Sequence, residues 1–164
     1  IQLILDNYKL YLSNDSKGNK NMLIAANLAG KAINITQTTA GHAMCYKLTN
    51  MYGIAHGHAA AICVSVLWPF MIQHTENCID HRGKKYLETV FAELADTMRD
   101  DSPLSSAKKF CRILKETGLE IPAVKSEDDF SMLKKSVNPV RLKNNPVKLS
   151  EDDMDSMYRS VLMN

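Results

Sequence analysis

Two histidines fourteen positions apart, His42 and His56, are the residues of this chain best suited to chemistry. They lie in the stretch Thr38 to Ile72, which carries three of the five histidines and no acidic residue. Neutral imidazole is the commonest protein ligand for zinc, iron and related divalent ions, so two imidazoles brought together in an apolar setting form a candidate metal site. A catalytic ion ordinarily takes three or more protein ligands with one position left open, so the pair supplies only part of a shell. Tyr46 follows His42 by four residues, about one helical turn, and is expected to line the same cavity. His58, two residues from His56, cannot share its helical face and is expected at a helix start beside the site. His74 and His81 have no partner pattern, and Lys47 reads as a solvated lysine on a helix face.

For the imidazoles to converge they must come from different helices. The Tyr52-Gly53 pair supplies the break, ending one helix over Ala40–Tyr52 and letting another run from His56 to about His74, bent at Pro69. Thr38 or Thr39 is placed to cap the first of these. Upstream, Ile1 to Leu12 has helical spacing, Ser13 to Gly18 is a polar stop, and Asn21 to Ile35 carries a small-residue stripe that predicts a central helix closely approached by another backbone. Downstream, one-faced helices are expected over Arg82–Met98 and from Pro103 to Gly118, with Pro in the first turn of the latter. Ser126-Glu127-Asp128-Asp129 and Ser150-Glu151-Asp152-Asp153 read as capped starts of short helices, Phe130–Val137 and Met154–Leu162. The Pro-bracketed stretch Asn138 to Pro146 reads as a loop. No alternating run predicts a strand, so the fold class is all-α, a multi-helix domain over residues 1–164.

Composition narrows the function classes. A chain of 164 residues, 45% apolar and 23% charged, is one domain with a sizeable core rather than a disordered segment. A net charge of +2 is too small to argue for nucleic acid, and the basic stretch Lys134 to Lys148 lacks interleaved aromatics and is flanked by acidic clusters. Four cysteines without a C-x-x-C pair read as reduced thiols, which with no recognisable leader gives a cytoplasmic expectation. Gly53 to Gln73 lacks charged residues, yet His56, His58, Ser65 and Pro69 argue for a buried helix rather than a membrane span. No G-x-G-x-x-G nucleotide fingerprint occurs. The chain starts with Ile1 in the middle of an amphipathic pattern, and a fragment of a longer gene product is expected.

Several segments resemble the iron-containing alcohol dehydrogenases, which share the dehydroquinate-synthase-like architecture. Ala25-Ala26-Asn27-Leu28-Ala29-Gly30-Lys31-Ala32 is similar to that family's AAxLAGxAF helix, and Gly41-His42-Ala43-Met44 resembles its G-x-x-H-A-M segment with the glycine shifted. His56-Gly57-His58-Ala59 resembles the P-H-G-x-A turn, and Asn145-Pro146 through Asp153 resembles the closing N-P-R segment. The resemblance covers roughly Ile1 to Leu162, the C-terminal helical half of such enzymes. It implies His42 and His56 as the third and fourth metal ligands, for Fe2+ or alternatively Zn2+, and Tyr46 in the pocket near the nicotinamide, where many members carry histidine.

The same resemblance implies NAD or NADP as cofactor, a small aldehyde or alcohol as substrate, and the protein's own N-terminal nucleotide-binding domain as partner, with a homodimer as one arrangement. The family's D-x-x-x-H ligands and its G-G-G-S phosphate-binding turn have no counterpart in this chain, so the isolated 164 residues are expected to be inactive. Ala40 to Thr49 further resembles a branch acting on small functionalised aldehydes such as phosphonoacetaldehyde. Two alternatives stand beside this reading, a metal-dependent lyase of the dehydroquinate-synthase type and a stand-alone helical interaction module.

Overall fold

The computed structural model describes residues 1–163, with the backbone alone at position 141. Among the described residues nine α-helices follow one another: α1 Gln2–Leu12, α2 Ser16–Ile35, α3 Ala40–Tyr52, α4 His56–Gln73, α5 Lys84–Thr97, α6 Pro103–Glu116, α7 Glu127–Ser136, α8 Pro139–Leu142 and α9 Glu151–Leu162. A 3-10 turn, Thr75–Asn77, separates α4 from α5. Among the described residues the only β-type pairing outside helices is an isolated antiparallel bridge between Cys78 and Val147, so the all-α expectation holds.

The core forms where α3, α4, α7 and α9 meet. Met44 and Leu48 of α3, Leu67 of α4, Phe130 and Leu133 of α7 and Tyr158 of α9 are fully buried together. Tyr158 lies 114 positions from Met44 yet donates its hydroxyl to the Met44 carbonyl at 2.8 Å, so the last helix is fastened to the helix that carries His42. Burial raises the Tyr158 phenol well above its ordinary range, which keeps it a proton donor. Gly41 lets α3 and α4 close tightly: a side-chain carbon there would stand 2.9 Å from Val64 Cγ2.

The capping chemistry follows the sequence closely. Ser150 and Asp153 form a reciprocal capping box on α9. Ser102 accepts from the Ser105 amide ahead of Pro103, the first residue of α6. Asp129 in the first turn of α7 accepts from the Lys125 amide and from the Tyr52 hydroxyl, tying α7 to the end of α3. Thr39 occupies the N-cap position of α3, although its side chain makes no capping bond.

Four expectations are corrected. The polar stop after α1 is shorter than Ser13 to Gly18, because Asp15 accepts from the Lys17 and Gly18 amides and starts α2 at Ser16. Gly18 instead lies against the preceding helix, where a side-chain carbon would come within 2.6 Å of the Leu10 and Tyr11 backbone. Second, α2 is peripheral rather than central: only Gly18 and Ala25 are buried, and nothing described lies within 4 Å of the place a Gly30 side chain would take. A small-residue stripe permits close approach but does not supply the approaching helix. Third, α4 is buried along the stripe Ala59, Ile62, Cys63 and Leu67, with both ends exposed. Fourth, the Pro-bracketed loop contains the single turn α8, whose first residue Pro139 has the φ that a helix start requires.

Candidate metal centre

The site is made by the α3–α4 hairpin. Gly53 ends α3 in the left-handed conformation, φ 66°, with its amide donating to the Thr49 carbonyl, and after Ile54 and Ala55 α4 begins at His56. A residue with a side chain would be strained at that φ, so glycine there sets the angle at which α4 departs. His42, in the first turn of α3, and His56, the first residue of α4, then face each other with ring centroids 5.3 Å apart in an edge-to-face arrangement. The ring of Tyr46 approaches the other side of His56, centroid to centroid 5.0 Å. His42 is half-buried, whereas His56 and Tyr46 are exposed. The structure therefore assembles the three side chains singled out from spacing on one wall of an open surface.

Cys45 was not anticipated as a neighbour. Its sulfur is wholly buried and lies 3.8 Å from both His56 Nδ1 and Nε2, and it also contacts the His42 carbonyl at 3.2 Å. The signal was present in the sequence, since Cys45 follows His42 by three residues and shares its helical face.

The remaining histidines lie apart from this trio. His58 is half-buried on α4 with Nε2 buried and unpartnered, lining a small cavity of about 100 Å³ with Cys111 and Val161. His74 stacks on Phe70 at 4.3 Å and contacts Glu76, and His81 is an exposed neighbour of Asp80.

The geometry can be tested against a metal. A tetrahedral ion bound at about 2.0–2.1 Å by one nitrogen of each of two imidazoles places their ring centroids roughly 5 Å apart. The observed 5.3 Å fits. The donors suit borderline divalent ions such as iron and zinc. They do not complete a shell, because among the described residues no group of three or more His, Cys, Asp or Glu side chains could hold an ion. The exposure of His56 leaves room for further ligands to approach from outside the α3–α4 hairpin.

Comparison with known proteins adds the context. The family model described as Fe-containing alcohol dehydrogenase family, C-terminal, matches residues 1–162. A phosphonoacetaldehyde reductase of Streptomyces viridochromogenes is 29% identical over 133 residues, which is 79% of this chain and 33% of that protein. A crystal structure of an iron-containing alcohol dehydrogenase from Thermotoga maritima superposes with a TM-score of 0.72 at 28% identity, covering 99% of this chain and 40% of that one. A second iron-containing alcohol dehydrogenase structure gives a TM-score of 0.72 at 30% identity with the same coverage. The chain thus spans about a third of the curated relative it matches. No helix among the described residues is long and apolar enough to cross a membrane.

Proposed function

Because this chain belongs to the Fe-containing alcohol dehydrogenase family, matching its C-terminal domain, we propose that it is the metal-holding part of a longer NAD(P)-linked alcohol dehydrogenase or aldehyde reductase, which moves hydride between a nicotinamide and a small aldehyde or alcohol. The observation that carries this reading is the convergence of His42 and His56 at 5.3 Å from two consecutive helices. A divalent ion, iron by the family's name, would polarise the substrate oxygen and favour the alkoxide as hydride arrives or departs.

The chain's own residues have definable tasks. His42 and His56 would each hold the ion through a neutral ring nitrogen, which gives no negative charge to offset a dication. Anionic and further neutral ligands are then the contribution of the rest of the polypeptide, together with the nucleotide-binding domain. Buried Cys45 backs the His56 ring, and Tyr46 stands beside it with its phenol exposed. There Tyr46 would line the pocket shared by nicotinamide and substrate, limiting the water that reaches the reacting carbon. The name of the Streptomyces relative and the segment Ala40 to Thr49 together support a small functionalised aldehyde such as phosphonoacetaldehyde as substrate.

The test is an assay of the protein expressed from its whole gene with iron, NADH or NADPH, and either phosphonoacetaldehyde or acetaldehyde. Cofactor oxidation is expected with at least one aldehyde, faster with phosphonoacetaldehyde, and absent for the 164-residue chain alone. Turnover by the isolated chain, or none by the whole protein with any short aldehyde, would overturn the proposal.

A further inference from the structure

The cysteine behind the candidate metal ligands touches both of them, in two different ways. Its thiol donates to the His42 carbonyl at 3.2 Å, and its sulfur lies 3.8 Å from each nitrogen of the His56 ring. Equal distances put the sulfur on the plane that bisects the imidazole between Nδ1 and Nε2. Within the plane of the ring that position would drive the sulfur into the ring carbons, so the sulfur stands over the ring face. A ring nitrogen donates or accepts along an in-plane direction that points away from that spot, so neither nitrogen makes an aligned hydrogen bond to the thiol. What holds the ring is packing of a polarizable sulfur against its face, which constrains its orientation and leaves both nitrogens to other partners.

We infer that Cys45 is the positioning residue of the histidine pair: its sulfur, fastened to the backbone of His42, holds the His56 ring in the rotamer from which both imidazoles reach one ion. This deepens the metal-holding reading and rests on it. The need arises from where His56 stands, as the exposed first residue of α4. An exposed side chain hops among staggered rotamers within picoseconds to nanoseconds. An ion that needs one of those rotamers binds more weakly in proportion to the fraction of time it is vacated. Cys45 lacks that freedom, being wholly buried among the core residues of α3 and α4 with its thiol directed at a carbonyl. Tyr46 borders the same ring at 5.0 Å but is itself 43% exposed, so the fixed wall is the sulfur. Because the other contact of that sulfur is the His42 backbone, the two imidazoles are registered to each other rather than each to its own helix.

The experiment measures the dissociation constant for zinc, by competition with a chelating dye, in the protein expressed from its whole gene. Cys45→Ala is compared with Cys63→Ala, which removes a sulfur equally buried in the same core but two turns further along α4 than His56, about 10 Å of helix rise. Cys45→Ala is expected to weaken zinc binding at least fivefold, and Cys63→Ala by less than twofold. Equal weakening by the two variants, or none by Cys45→Ala, would overturn the positioning role while leaving the metal reading intact. If Cys45→Ala fails to fold, the unmutated metal-free protein with isotope-labelled histidine decides: three-bond NMR couplings across χ1 of His56 should report a single rotamer, and averaged couplings would reject the inference. Zinc affinity that survives both His42→Ala and His56→Ala would remove the metal reading, and this inference with it.

Discussion

Helices α3 and α4 and helices α1 and α2 are both consecutive, contacting neighbours joined by a few residues, and both carry apolar stripes, yet they meet opposite fates. The first pair buries Met44, Cys45, Leu48, Ala59, Cys63 and Leu67 against α7 and α9, and the second leaves Leu23, Leu28, Ile33 and Ile35 exposed. Ile35 is 86% exposed at the end of a twenty-residue helix. An apolar stripe says that a helix has a partner, not that the partner lies in the same stretch of chain. The histidine pair sits on the half that is complete in itself, which is why its geometry is formed without the other half.

The strongest way to sharpen this contrast is to act on chemistry without touching packing. His56 is exposed and meets the core at the Cys45 sulfur, on the rim of the packed interior, so His56→Ala in the whole protein should lower kcat/KM for aldehyde reduction by at least about a thousandfold, roughly 4 kcal/mol of barrier, with a melting temperature changed by no more than a few degrees. Stopped-flow or steady-state cofactor oxidation alongside a thermal melt checks both halves of that statement. A melting temperature that falls as far as the activity would place His56 in the structural core.

Packing separates the two pairs next. Leu48→Ala removes a wholly buried side chain beside the site and should cost about 2–5 kcal/mol in urea unfolding. Leu23→Ala on α2, 73% exposed, should stay within about 0.5 kcal/mol in the 164-residue chain. Equal costs would show that α2 is covered in solution. Gly18→Ala lies between these, at roughly 1–3 kcal/mol, because the added carbon collides with the backbone of Leu10 and Tyr11 rather than with a flexible side chain. Its effect should be confined to α1 and α2 in hydrogen exchange, leaving the amides of α3 and α4 as protected as before.

The smallest expected effect is a pH dependence on the complete half. Asp129 is held below the usual carboxylate range, first by the Lys125 amide and then, against the cost of its burial, by the Tyr52 hydroxyl. A depressed carboxyl contributes stability above its unfolded pKa of about 3.9, and that contribution is lost as pH falls through the folded value. Asp129→Asn should therefore flatten the acid limb of melting temperature against pH below about pH 4. The Tyr52 phenol titrates at the other end: burial, then the neighbouring Asp129, push it up to about 12, so its contribution is lost only in strong alkali.

What the sequence disclosed divides along the same line. The α3 and α4 boundaries, the glycine break and the facing of His42, Tyr46 and His56 were legible because each is set by residues within one helical turn or one link. Ser150 and Asp153 were legible for the same reason. The placement of α2 was not, since the spacing of Ala25, Ala29 and Gly30 records a preference for close approach without recording by what. Cys45 against His56 was missed because the apolar company of a cysteine suggests packing before it suggests contact with a ligand. Pro139 was read as punctuation, although the same fixed φ starts a helical turn.

The short link at Gly53 also bears on the order in which the molecule assembles. His42 and His56 are brought together by closing only fourteen residues of chain, an event that costs little loop entropy and belongs to the submicrosecond to microsecond range for such lengths. Tyr158 must travel across 114 positions to reach the Met44 carbonyl, the kind of contact that sets the slow limit of folding. The paired imidazoles are thus expected in the nascent α3–α4 hairpin before the C-terminal helix has left the ribosome, so the half-site is among the first features of the chain to exist and the lock behind it among the last.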